Sequence, residues 1–164
     1  MTKSLFLIGL LIFSAAPLVW AQTAAGDQPF SGLNELDQFL TQDFSPLEKD
    51  YAPGQMGGQW RFQAGGREII VMADEDHNRI RVMTSASQID PRDARLLFTL
   101  LEANFGRALD ARYAITKDVL WSLFLHPLKD CKPSQLKEGI RQVVTLADNT
   151  GTTYASSELS FGEG

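Results

Sequence analysis

The acidic run 74–78 sets Asp74, Asp76 and Asn78 at alternate positions, the oxygen spacing with which a calcium loop begins. Such a loop would coordinate a hard cation through side-chain oxygens. Its next requirements are not met: Arg79 stands where the sharp bend needs glycine, and Ser85 stands where a bidentate carboxylate must close the shell. Arg79 and Arg81 would also place positive charge beside the ion. The run therefore reads as a solvated hairpin turn, and no bound metal is expected.

Other reactive groups are few. His77 belongs to that turn, and His126 ends an apolar segment before Pro127, a place suited to a hydrogen-bonded structural imidazole. Cys131 is the single cysteine, so no internal disulfide can form. With only Lys129 and Lys132 near it in sequence, it reads as a small buried hydrophobe rather than a thiolate. There is no G-x-S-x-G elbow, no cluster of zinc ligands and no G-x-G-x-x-G after a strand, and residues 54–58 lack the Lys-Ser/Thr of a phosphate loop. No catalytic residue, no cofactor and no enzymatic activity are expected from these patterns.

The segments that must position these residues are well punctuated. Ser31 is expected to cap a first helix whose Leu33, Leu36, Leu40 and Phe44 fall on one face, with Pro46 as its stop. Residues 50–58, with Pro53, Gly54, Gly57 and Gly58, have loop chemistry. Trp60, Phe62 and Ala64 alternate with Arg61 and Gln63, and Gly65-Gly66 marks a two-residue hairpin. Ile69, Ile70, Val71 and Met72 are apolar in succession, the pattern of a strand covered on both faces. Ile80 and Val82 then alternate with Arg79 and Arg81, completing an antiparallel meander.

Asp90-Pro91 predicts the start of a second helix, with Asp90 as cap and Gly106 as the end. Tyr113 and Ile115 open a hairpin that turns at Lys117-Asp118 and returns over 119–126. Pro133 opens a third helix with Leu136, Ile140, Val143, Val144 and Ala147 on one stripe and its end near Gly151. The expected fold class is α+β: an antiparallel sheet of about five strands with three helices, in the order α-β-β-β-α-β-β-α, as a single domain over 31–151.

The second helix carries more apolar surface than such a fold needs. At 100° per residue, Leu96, Leu97, Phe98, Leu100, Leu101 and Phe105 cover about 200°, whereas a helix on one sheet needs a stripe of about 100°. One flank needs cover, either from the same chain or from a second copy. The candidate partner-binding residues are Leu97, Phe98, Leu101 and Phe105, joined by Met72, Met83 and Phe124.

Residues 5–20 form an apolar run behind Lys3, and Val19 and Ala21 occupy the small-residue positions that a signal peptidase reads. Ser14 and Pro17 interrupt the run, and a spanning helix needs about 20 apolar residues. Residues 1–21 are thus expected to be a signal peptide cut after Ala21, which sends the protein to the periplasm or outside the cell with no stable membrane span. Residues 22–30 read as a loose leader and 152–164 as a partly ordered tail. A formal net charge of −5, with no basic run, gives no footing for nucleic acid.

Residues 112–115, 119–121 and 124–128, ending in His126-Pro127-Leu128, resemble the type III secretion chaperone (Tir chaperone, CesT-like) and YbjN-like superfamily; so do Gln135-Leu136 and the helix that follows over 140–147. The element order over 31–151 is similar as well. The resemblance implies a twisted antiparallel sheet packed with helices, commonly dimeric, that binds polypeptides without catalysis. Secretion chaperones act in the cytoplasm, whereas this chain is expected to leave it, so its client should differ from a secretion effector. The functional expectation is an exported, non-catalytic protein- or peptide-binding module. The alternative is a periplasmic carrier or sensor of a small apolar ligand, with Met72, Met83, Trp121 and Phe124 lining its cavity.

Overall fold

The structure is a computed structural model that describes residues 27–151. The expected signal peptide and most of the leader lie outside the described residues, as does the tail 152–164. The elements run α1 (Leu33–Phe44), β1 (Glu48–Asp50), β2 (Gly57–Ala64), β3 (Arg67–Asp74), β4 (Arg79–Gln88), α2 (Ala94–Gly106), β5 (Arg112–Thr116), β6 (Val119–His126), a 3-10 turn at Leu128–Asp130 and α3 (Pro133–Asp148). All strands pair antiparallel in one sheet, in the order β1-β2-β3-β4-β6-β5.

The fold is α+β with the expected order of elements, but the sheet has six strands rather than about five. The added strand is β1, three charged and exposed residues within and just before the stretch read as a loop. It has no apolar alternation to mark it. Pairing with β2 (Glu48 opposite Arg61) and an ion pair from Lys49 Nζ to Asp37 of α1 at 3.0 Å hold it in place. The hairpin turns fall where expected: Gly65 and Gly66 have φ of 58° and 76°, and Lys117 and Asp118 have 50° and 62°, the left-handed pair that matches strand twist.

One face of the sheet, with Trp60, Phe62, Ile69, Val71, Ile80, Val82 and Phe124, is buried together with Leu33, Leu36 and Leu40 of α1 and Leu136, Ile140 and Val143 of α3. Gly139 lets α3 approach: a Cβ there would lie 2.6 Å from the buried Phe124 ring. The other face is covered only in part. Ile70 is 7 % exposed but Met72 is 38 % exposed, so β3 is not sealed on both sides as its apolar run suggested. Among the described residues no helix is long and apolar enough to cross a membrane.

Two helix starts differ from expectation, each for a local reason. The N-cap of α1 is Gly32, not Ser31, whose N–H and Oγ–H both go to Glu35 Oε2 at 2.8 Å. The Leu33 N–H is instead taken by Glu75 Oε1 at 2.7 Å, and the same carboxylate oxygen occupies the space a Cβ on Gly32 would need. In α2 the cap is Asp93, which accepts from the Leu96 N–H at 3.0 Å. Asp90 accepts the Arg92 N–H at 2.9 Å, which makes Asp90-Pro91 a turn ahead of the helix rather than its first residues.

Residues 27–30, within the stretch read as leader, are joined to the domain. Phe30 is 1 % exposed and donates its N–H to the Cys131 carbonyl at 2.9 Å, while Asp27 accepts the Ser134 N–H at 2.9 Å in the first turn of α3.

Candidate functional site

The acidic turn is a structural joint. Asp74 accepts the His77 N–H at 3.0 Å and meets His77 Nδ1 at 2.8 Å, and these two contacts hold its carboxyl below the usual carboxylate range. Asn78 turns back at φ 47°, and its Oδ1 accepts the Lys129 N–H at 2.8 Å. Glu75 is committed to α1. No group of three His, Cys, Asp or Glu side chains among the described residues is placed to hold a metal ion. His126 pairs through Nδ1 with the Pro127 carbonyl at 2.9 Å and stacks on Phe124. Cys131 is buried, and loss of solvent, with a smaller contribution from Asp27, pushes its thiol up to about 12.

The named apolar residues fall into three places. Leu97, Phe98, Leu101 and Phe105 lie on α2, which buries only Leu100; Leu97 is half-buried, and Phe98, Leu101 and Phe105 are 63 %, 67 % and 95 % exposed. The helix is anchored to β5 through Asn104, whose amide donates to the Tyr113 carbonyl at 3.1 Å and accepts the Tyr113 N–H at 2.7 Å. That clamp fixes one side of α2 and leaves the aromatic side outward.

Met72 and Met83 sit on the open face of the sheet, Met72 exposed and Met83 half-buried. The register puts Met72 opposite Arg81, which in turn faces Leu125. Phe124 is elsewhere, 5 % exposed on the covered face beneath Gly139. Trp121 lies across from Ser85 on the open side, so Met72, Met83, Trp121 and Phe124 do not line one cavity. The arginines of the open face are not among the candidate binding residues of the sequence, where they count only as positive charge beside the acidic turn and as the polar half of an alternation. Arg79 and Arg81, two residues apart on β4, point opposite to buried Ile80 and Val82, and that alternation is the signal that separates them from the core.

No family model matches the chain, and no curated protein matches it in sequence. Solved structures do share its arrangement. The type III secretion chaperone SycH of Yersinia pestis, solved in complex with a stable fragment of YscM2, superposes with a TM-score of 0.50 at 17 % identity, over 70 % of this chain and 94 % of that one. The HopA1–SchA chaperone–effector complex gives 0.47 at 12 % identity over 70 % and 88 %, and YbjN from E. coli gives 0.46 at 14 % over 73 % and 91 %. With its helix-flanked antiparallel sheet and this likeness to SycH, the chain has the fold of a type III secretion chaperone.

Proposed function

We propose that this protein is an exported, non-catalytic polypeptide-binding module that works as a homodimer joined through α2. The observation that carries the reading is the outward row of Phe98, Leu101 and Phe105, since soluble monomers rarely leave large apolar side chains clustered without a partner. The fold supports a polypeptide as the client, because the similar SycH was solved holding a fragment of another protein. Both histidines and the one cysteine are taken up by structural contacts or burial, which agrees with a non-catalytic role. The apolar run and small-residue site of residues 1–21 support export.

The test is an array of immobilised peptides of varied composition probed with the full chain, which should mark a saturable subset. A blank array would sink the polypeptide reading. Intact-mass analysis of exported protein decides the other half, and a mass that retains residues 1–21 would remove cleavage after Ala21 from the proposal.

A second reading has one observation in its favour. A cavity of about 350 Å³ lies beside α2, lined by Leu96, Leu100, Tyr113, Leu120 and Leu146 among others, and its walls suit a small apolar molecule. Lipid identified by mass spectrometry in purified protein, displaced in step with loss of peptide binding, would favour that carrier role over the first.

A further inference from the structure

The open face of the sheet carries groups that neither the core nor α2 uses. Near the β2–β4 end it opens into a cleft of about 680 Å³, bounded by Asp50, Gln59, Met72, His77, Arg79 and Arg81. Asp74, in its wall, is engaged by His77. The side chains of Arg79 and Arg81 make no hydrogen bond or ion pair among the described residues, and the Arg81 Nε–H is buried without an acceptor. Trp121 Nε1, on the same face, is also buried without a partner. Arg61 differs from them in being ion-paired already, its Nε 3.4 Å from Glu48 and its Nη1 3.3 Å from Glu68.

Arg81 Nε and Trp121 Nε1 are both donors. A buried N–H with no acceptor is costly, so what completes this face must bring oxygen acceptors rather than more donors. It must also bring apolar surface, because Met72 and Leu125, the cross-strand neighbours of Arg81, are 38 % and 46 % exposed. Spacing adds a third constraint. Arg79, Arg81 and Met83 alternate along one side of β4, about 6.8 Å apart, which is also the repeat of alternate side chains in an extended chain.

We propose that this face binds an extended polypeptide segment with two carboxylates at alternate positions followed, two residues on, by an apolar side chain, laid along β4 over Arg79, Arg81 and Met83. This rests on the polypeptide-binding reading and names the chemistry of the segment bound. Two guanidiniums receive the two carboxylates by charge-assisted hydrogen bonds, and Met83 with its neighbours receives the apolar residue. The carboxylate of Asp50 at the β1 wall limits how far an acidic stretch can extend on that side. Because the whole chain carries a formal charge of −5, attraction is local to the arginine pair and should weaken as salt is added.

The experiment is fluorescence anisotropy of the full chain with labelled peptides built on Glu-Ser-Glu-Ser-Leu, the same with Lys for Glu, and the same with Ser for Glu, with inorganic phosphate as competitor. The Glu peptide should bind about tenfold or more tighter than the other two. The double variant Arg79→Gln, Arg81→Gln should lose about tenfold for that peptide while its circular dichroism and melting stay unchanged. If Arg81→Gln disturbs the sheet, the exposed single variant Arg79→Glu should show the same direction of loss. Equal binding of the three peptides, or an unaffected variant, would overturn the proposal. So would displacement of the Glu peptide by phosphate at matched concentration, which marks a small-anion site. If the peptide array is positive but its bound members are not acidic, this inference falls and the polypeptide reading stands; if the array is blank, both fall.

Discussion

Helices α3 and α2 use their apolar residues in opposite ways. α3 buries Leu136, Gly139, Ile140, Gln142, Val143, Leu146 and Ala147 against the sheet, and its Gln142 Oε1 accepts the N–H groups of Asp110 and Ala111 at 2.9 and 3.1 Å. α2 has the wider apolar arc yet buries only Leu100. Their ends differ in the same sense. α3 adds to its local cap, the Lys132 N–H on Gln135 Oε1 at 3.0 Å, a contact from Asp27, over a hundred residues away, to the Ser134 N–H, and Glu75 of the β3–β4 turn accepts the Leu33 N–H of α1, whereas α2 is capped by its own Asp93. Apolar content does not decide burial; the presence of a covering partner does. The helix least used by the fold has the most surface left for function.

The largest test of this contrast is a pair of truncations. Leu136→Ala, at a fully buried position of α3, should cost about 2–5 kcal/mol in urea unfolding. Leu101→Ala, 67 % exposed on α2, should change the folding of one subunit by about 0.5 kcal/mol or less. A comparable loss at both positions that does not change with protein concentration would mean that α2 is covered within a single chain.

Association is the next largest effect. If Phe98 lies at a contact between copies, Phe98→Glu buries a carboxylate without a partner and removes several kcal/mol from the interface, on the order of 3 to 5. Light scattering should then report half the mass of the unmutated protein, with native circular dichroism retained. Global unfolding would place Phe98 in an intramolecular core. An unmutated protein that is monomeric at high concentration would end the homodimer proposal.

The sequence discloses one side of this contrast better than the other. The three- and four-residue spacing of Leu33, Leu36 and Leu40 and of Leu136, Ile140 and Val143 marks helices that do lie on the core, and Gly65-Gly66 marks its turn without ambiguity. β1 escapes because Glu48, Lys49 and Asp50 have no apolar side chain to betray the pairing. Ser31 and Asp90 mislead because local cap patterns cannot see Glu75, 42 positions away from the N–H it accepts, or choose between Asp90 and Asp93. The α2 surplus was legible as an arc. The arginine face was not, because alternation shows that Arg79 and Arg81 point away from Ile80 and Val82 but not that their side of the sheet stays open.

Cys131 probes the buried side of the comparison by pH. Its thiol is raised from 9.0 to about 12 in the fold, so between those values the unfolded chain releases a proton that the folded chain keeps. This contribution to stability is intact below about pH 9 and declines as pH rises through that window. Urea unfolding at about pH 8 and about pH 10 should show a steeper alkaline loss for the native protein than for Cys131→Ala. Labelling by a thiol reagent should be slow without denaturant; fast labelling, or identical slopes in the two proteins, would contradict burial of this residue.

The smallest effect separates α1, whose Leu33 N–H is taken by Glu75 from afar, from α2, which is capped by its own Asp93. Glu75 contributes to α1 twice, as acceptor for the Leu33 N–H at 2.7 Å and as negative charge at the positive end of the helix. Glu75→Ala removes both and should cost about 0.5–2 kcal/mol. Glu75→Gln keeps an amide oxygen as acceptor but loses the charge, and should cost only about 0.3–1 kcal/mol, less at high salt. The equivalent change in α2, Asp93→Asn, also keeps its acceptor for Leu96 and should cost a similar amount in helix stability. The two variants should then part company in hydrogen exchange. Loss at Glu75 loosens α1 together with the turn 74–78 that holds it, because one carboxylate joins them, whereas loss at Asp93 stays within α2. Exchange that spreads from Asp93→Asn into β3 and β4 would show α2 to be bound into the core after all, and would remove the physical basis for assigning its outer face to a partner.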